Sequence, residues 1–369
     1  MSRLMFFIAT CAICLMLGSC GSTDPQPSLA IPTRYDSASY TLNAATEIAM
    51  IGQFEDLIEA LEKGRASSVR LNESEILLKL DVLLPFMDPL AVNEVTSRVL
   101  STIRASGGTY DWSKDAAGNG EGGVYGAYLF TAEGLDATEV VEKQLFSVML
   151  QYHVNQLLLG TTTPATIDKL VATIGAHPKF SNSDKATSHP DRFVAAYAAR
   201  RDKNDGTGMY TKIFASLRKA QAAAKAGTAF STDLNDAIKE YRRQWERALM
   251  ATTANYLFTV VSKLSQTTVD DATRSSAIHS FGEAAGYLMG LTTVPQNQRI
   301  IPSETLQTIL AKMGLPLGGS PSCWKVWQDP FTSLPLLIEC TNIIATTYGF
   351  SSAEMESFKT NWVNAQDRK

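Results

Sequence analysis

The chain has 369 residues, with 33 Lys+Arg against 37 Asp+Glu, a formal net charge of -4 and a hydrophobic fraction of 45%. This is too apolar and too weakly charged for a disordered chain, and it lacks the basic excess of a dedicated nucleic-acid binder. The length suits about two domains' worth of chain. Only the first residues form a stretch apolar enough to meet a bilayer.

Arg3 is the single charge before the uncharged run Leu4 to Leu17. At about 1.5 Å per residue this run reaches roughly 21 Å, short of a comfortable span and suited to a secretory signal over residues 1–19. Leu17-Gly18-Ser19-Cys20 resembles the lipobox of bacterial lipoproteins, whose cysteine becomes the lipidated first residue. An ordinary signal peptide carrying a cysteine is the other reading. Gly21, where an Asp would retain the chain at the inner membrane, resembles outer-membrane sorting. Residues 20–34, with Pro25, Pro27 and Pro32, read as an extended tether, leaving 35–369 as the folded domain. Acyl chains would make a transmembrane helix unnecessary.

Cys11 and Cys14 fall in the signal and Cys20 at the lipidation site. Cys323 and Cys340 then remain as a pair in an oxidising compartment, read as a disulfide. Two free buried thiols are the alternative.

Apolar residues at helical spacing predict a helix over 45–63, stopped by Gly64. Residues 73–105 are helical with a break at Pro85 and Pro89. Further helices are expected over 135–159, 191–201, 207–226, 232–265, 270–291, 303–313, 333–348 and 351–364. The fold class is all-α: long antiparallel helices, either one bundle or two four-helix bundles. The exception is Gly107 to Gly134, with eight glycines. It lacks the acidic spacing of a calcium loop and the Lys-Ser/Thr ending of a phosphate loop, so it reads as a turn leading to a short hairpin at 124–131.

The helix over 270–291 carries the most chemistry. At about 100° per residue, His279, Gly282, Glu283, Gly286 and Gly290 share one stripe. Each glycine weakens a helix by about 1 kcal/mol relative to Ala, so three on one stripe imply close approach by another helix or a bound group. His279 and Glu283, one turn apart, suit a metal, with further ligands needed from other helices; the plainer reading is a hydrogen bond that fixes helix register. His189 and Asp191 sit at an expected helix start, where capping competes with ligation. Glu139 and Glu142 could share a site, but such a pair is ordinarily a solvated face. No Gly-x-Ser-x-Gly elbow, His-Glu-x-x-His motif or dinucleotide fingerprint is present.

Ile278-His279-Ser280-Phe281-Gly282-Glu283-Ala284-Ala285-Gly286-Tyr287-Leu288 resembles the His-x-x-Ser-Glu-x-x-Gly-Phe helix of a bacterial lipoprotein family with a domain of unknown function. Glu139 to Leu158, with Glu142-Lys143, resembles that family's Gln-x-x-Glu-Lys helix. His189 to Tyr197 is similar to its Trp-Asp-Glu-Ala-Phe-Gly-Tyr segment, and Trp245-Glu246 falls at its Trp-containing helix. That family is in turn similar to the imelysin-like proteins: periplasmic or surface helical proteins of two bundles, linked to iron uptake, with a Gly-x-His-x-x-Glu motif. Here Ala277 stands at the Gly, and Glu283 follows His279 by four residues.

The resemblance implies a non-catalytic outer-membrane lipoprotein that binds iron, another divalent metal or an iron-bearing ligand and assists its uptake. Its ligands would be His279 and Glu283, supported by His189, Asp191 and Glu142. The alternative is a lipid-anchored helical module that docks an outer-membrane receptor or another envelope protein. A metal-dependent hydrolase is the weakest of the three readings. No nucleic-acid partner is expected.

Overall fold

The computed structural model describes residues 28–369. The signal segment, Cys20 and most of the tether lie outside the described residues. In chain order the helices are α1 (Tyr40–Asn43), α2 (Ala45–Glu62), α3 (Glu73–Asp81), α4 (Val92–Ala105) and α5 (Ala116–Asn119). A hairpin, β1 (Gly123–Tyr125) with β2 (Tyr128–Phe130), follows. Then come α6 (Ala137–Leu145), α7 (Tyr152–Leu157), α8 (Pro164–Thr173), α9 (Phe193–Arg200) and α10 (Met209–Ala226). Last are α11 (Ser231–Leu264), α12 (Asp271–Leu291), α13 (Ser303–Lys312), α14 (Lys325–Gln328), α15 (Pro330–Tyr348), α16 (Ser352–Phe358) and α17 (Trp362–Ala365). The all-α expectation holds, with the hairpin as the only sheet among the described residues. None of the described helices is long and apolar enough to cross a membrane.

Short connections fold α10, α11 and α12 back and forth, so consecutive helices are antiparallel neighbours. α12 also packs along α6. Phe54, Phe146, Tyr241, Trp245, Phe281 and Tyr287 are fully buried in one connected core that runs from Tyr35 to Val363. Between α6 and α7, Phe146–Gln151 winds as a π-helix. Its Val148 carbonyl accepts the Asp88 amide at 2.9 Å, tying the segment to the loop before α4. Wide turns of this kind often accompany functional sites.

α8 was not expected from the sequence. Thr163 caps it, in a reciprocal pair with Thr166, and Pro164 opens its first turn. α15 begins at Pro330, ahead of the expected Ser333, and tolerates Pro335 inside. α9 begins at Phe193, so Asp191 precedes the helix and is not part of its first turn.

The disulfide expected between Cys323 and Cys340 is not formed: both are free, buried thiols. Cys323 lies in the loop before α14 and points at the Glu133 carbonyl, 3.1 Å away. Cys340 sits in mid-α15 and faces the Ile309 carbonyl of α13 at 3.7 Å. Each side chain is turned to a different neighbour. Trp327 is buried against Phe281, with ring centroids 5.9 Å apart, and serves the core.

Candidate functional site: a buried charge cluster between α6 and α12

The glycine stripe sets α12 directly on α6. A Cβ on Gly282 would stand 2.8 Å from the Asp136 backbone nitrogen, and one on Gly286 2.8 Å from Lys143 Cβ and 3.1 Å from Val140 Cα. On Gly290 it would meet the Gln144 carbonyl oxygen at 2.8 Å. No side chain fits between these backbones, which accounts for three residues that otherwise weaken a helix. The contact brings the side chains flanking the stripe, His279 and Glu283, onto the polar residues of α6.

Asp136 caps α6 by accepting the Glu139 amide on Oδ1 at 3.1 Å. Its Oδ2 lies 2.8 Å from His279 Nδ1. A carboxylate only accepts, so Nδ1 carries the proton and Nε2 turns to Glu283 Oε2, 3.4 Å away. Tyr128 from the hairpin stacks on the imidazole, with centroids 4.2 Å apart. The glycine-rich insertion therefore covers the outer side of the cluster. Its tip lies on the start of α12, where Tyr125 donates to Asp271 at 2.7 Å.

Lys143 is fully buried, one helical turn after Glu139. Its ammonium lies 2.7 Å from Glu139, 2.6 Å from Glu142 and 3.7 Å from Glu283. It also stands 4.9 Å from the Tyr197 ring centroid. Arg65 approaches from the end of α2, donating to Glu139 at 2.5 Å and to Glu62 at 2.8 Å, with Asp136 at 3.9 Å. Four inner carboxylates, Asp136, Glu139, Glu142 and Glu283, thus meet the cations Lys143 and Arg65 and the titratable His279.

Burial sets the electrostatics. It works against charge on Glu139, yet Lys143, His279 and Arg65 together hold that carboxyl well below the ordinary carboxylate range. Glu142 is raised, by burial first and by repulsion from Glu139. Burial, with repulsion from Glu139, pushes Glu283 up to about 7 despite Lys143 and His279. Burial would lower His279, but the Asp136 bond and the charges of Glu283, Asp136 and Glu139 raise it. Lys143 loses to burial and gains more from Glu139 and Glu142, so it stays protonated.

Asp136, Glu139 and His279 each offer a ligand atom, and these atoms all lie within 4.8 Å of one another. Both oxygens of Glu139 are already bonded to cations, however, and Asp136 holds the imidazole. His279 Nε2 and the Glu283 carboxylate make only longer contacts, 3.4 Å to each other and 3.7 Å from Glu283 to the Lys143 ammonium. A ligating histidine whose other nitrogen donates to a carboxylate is a common metal arrangement, so the donor set fits a borderline divalent metal through His279 and Glu283, with Asp136 behind.

His279, Glu283 and Glu142 therefore converge, the last through Lys143. His189 and Asp191 do not join them. His189 stacks on His177, with centroids 3.7 Å apart. Asp191 is buried in a different network, accepting from the Ser183 amide at 2.8 Å and Tyr210 at 3.0 Å. Short of cations, it is pushed by burial up to about 7. The reading of Glu139 and Glu142 as a solvated face is also corrected, because α12 covers them. His153 pairs with buried Glu47 at 3.0 Å and belongs to the α2–α7 contact. Sequence reasoning missed Asp136, Arg65 and Tyr128. Asp136 had a signal, the capping pattern Asp136-x-x-Glu139; the other two are brought in by tertiary contact alone.

No family model, curated protein or solved structure matches this chain.

Proposed function

We propose that this protein is a cell-envelope lipoprotein that takes a divalent transition metal, or a small ligand bearing one, at the α6–α12 cluster and assists its uptake. The observation that supports this most is the orientation of His279. Asp136 takes Nδ1–H and leaves Nε2 of the half-buried imidazole facing the buried Glu283 carboxylate. His279 and Glu283 hold the metal as cargo, Asp136 orients the imidazole, and Lys143 keeps the remaining carboxylates neutralised. His279 has to shed its proton before Nε2 can ligate, so affinity rises with pH through its titration. The resemblance to the imelysin-like proteins favours iron.

The test is the metal content of the full-length chain purified without chelators, beside a His279→Ala/Glu283→Ala variant. Near-stoichiometric metal in the first and none in a still-folded second supports the proposal. A chain without metal that also fails to take up Fe(II), Zn(II) or Cu(II) on titration sinks it.

One observation favours the second reading, an anchored module that docks an envelope protein. Lys143 and Arg65 already neutralise much of the cluster, as a purely structural lock between helices requires. That reading expects the double variant to lose stability with no change in bound metal. It also expects one dominant crosslinked partner in cells.

A further inference from the structure

A second site lies away from the His279 cluster. A cleft of about 530 Å³ opens where the chain leaves the tether, between the loop before α9 and the first half of α10. Three cations line it: Arg34 from the N-terminal segment, Lys179 from the loop and Arg218 from α10. No carboxylate lines it, although the protein as a whole carries net negative charge. None of the three cations has a carboxylate within 4.0 Å among the described residues. Arg218 donates one N–H to the Thr33 carbonyl at 2.7 Å, and its Nε has no partner. Lys179 reaches only the Ser188 hydroxyl, at 3.3 Å.

Unpaired cations that converge on a concave surface focus a positive field into it. Of the six non-glycine residues with positive φ among those described, three line this cleft: Phe180 at 51°, Asn182 at 49° and Asn204 at 57°. A phenylalanine in this region is strained, and such strain collects at ligand sites. Asn182 is buried, with its amide donating to Asn204 at 3.1 Å and its own Oδ1 unpartnered. The floor is aromatic, with Phe180 and Phe214 centroids 4.3 Å apart.

We propose that this cleft binds a sugar monophosphate, free or carried as a lipid headgroup. A doubly charged phosphate suits three separate cations better than a single carboxylate does, and arginine matches phosphate oxygens in pairs. The aromatic floor accepts the apolar face of the ring, and the hydroxyls of Ser37 and Thr211 are at hand for its polar edge.

The experiment titrates glucose 6-phosphate, glucose and inorganic phosphate into the full-length chain in neutral detergent micelles. Glucose 6-phosphate binds, glucose does not, and phosphate binds more weakly. Arg34→Gln/Lys179→Gln, both at exposed positions, weakens binding at least tenfold with the circular dichroism unchanged. Arg218→Gln does the same, and its partial loss of the Thr33 bond is checked by thermal melting. Adding lipid A to the micelles separates the sources: competition with glucose 6-phosphate marks a headgroup ligand, and unchanged binding a free one. Absence of binding by both glucose 6-phosphate and lipid A, or equal binding in the Arg34/Lys179 variant, overturns the proposal.

Discussion

Replacing Lys143 with Met keeps its length and removes its charge from between Glu139, Glu142 and Glu283. Removing one partner of a buried ion pair costs about 3–5 kcal/mol, because the other charge stays buried and unpaired. Three carboxylates lie within 3.7 Å of this ammonium, so the upper part of that range applies. The pH dependence has a definite sign. Glu139 is depressed from 4.5, so its share of stability is present above 4.5 and lost as pH falls through its folded value. Lys143 is raised from 10.5, so its share is complete below 10.5 and lost only at higher pH. In the variant the buried carboxylates have lost their ammonium and take up protons as pH falls, so the full penalty shows near neutral pH and shrinks towards about pH 4, where Glu139 of the wild type is still ionised. Urea unfolding of wild type and variant at about pH 8 and about pH 4 measures it. Adding Glu142→Gln recovers part of the loss, a non-additivity expected of side chains in contact. A loss below about 1 kcal/mol, or the same loss at both pH values, refutes the electrostatic account of the cluster.

Gly286→Ala gains about 1 kcal/mol of helix propensity but drives a Cβ onto Lys143 and Val140. Overpacking costs about 1–3 kcal/mol, and the upper part of that range applies because the added Cβ meets Lys143 Cβ at 2.8 Å and the Val140 backbone at 3.1 Å, which no rotamer change can clear. A net drop in melting temperature follows, and an unchanged or raised value contradicts the close-packed stripe. Asp136→Asn keeps the α6 cap but offers His279 an amide N–H, which turns the imidazole so that Nε2 carries the proton. Metal affinity measured by titration then falls more than tenfold while the helical spectrum persists, and undiminished affinity counts against the assigned orientation. Asp191, raised from 3.8 to about 7, favours the folded state below about 4 and loses that advantage as pH rises to 7. At about 1.36 kcal/mol per unit this amounts to up to about 4 kcal/mol, and Asp191→Asn flattens the fall; an equally steep fall in the variant contradicts it. Cys323 and Cys340 both react with maleimide in urea without reductant, whereas labelling that appears only after reduction restores the disulfide reading.

Much of the fold was legible in the sequence. The helices over 45–62, 209–226, 231–264 and 271–291 carry long apolar repeats with clear stops, and their bounds fall within two residues of those expected. α8 was missed although Thr163-Pro164 marks its start, because the run before Gly175 is short. The candidate site was legible in part. The glycine stripe pointed to close approach, and His279 with Glu283 shared its face. The partner helix was not readable. Glu139, Glu142 and Lys143 look like a surface triplet on α6 alone, and only the covering α12 makes them interior. His189 and Asp191 were grouped with the site by resemblance, yet the fold pairs His189 with His177 and Asp191 with Ser183 and Tyr210. The cysteine pair misled for a similar reason. A suitable separation along the chain says nothing of direction, and the two thiols point to the carbonyls of Glu133 and Ile309.

The imidazole of His279 itself reports metal binding at the α6–α12 cluster. With only four histidines, selective nitrogen-15 labelling of the full-length chain resolves each ring. Above its titration, His279 should show a protonated Nδ1 and a free Nε2, and Zn(II) should shift Nε2 alone. A proton on Nε2, or a ring that Zn(II) leaves unchanged, would contradict metal binding at this cluster.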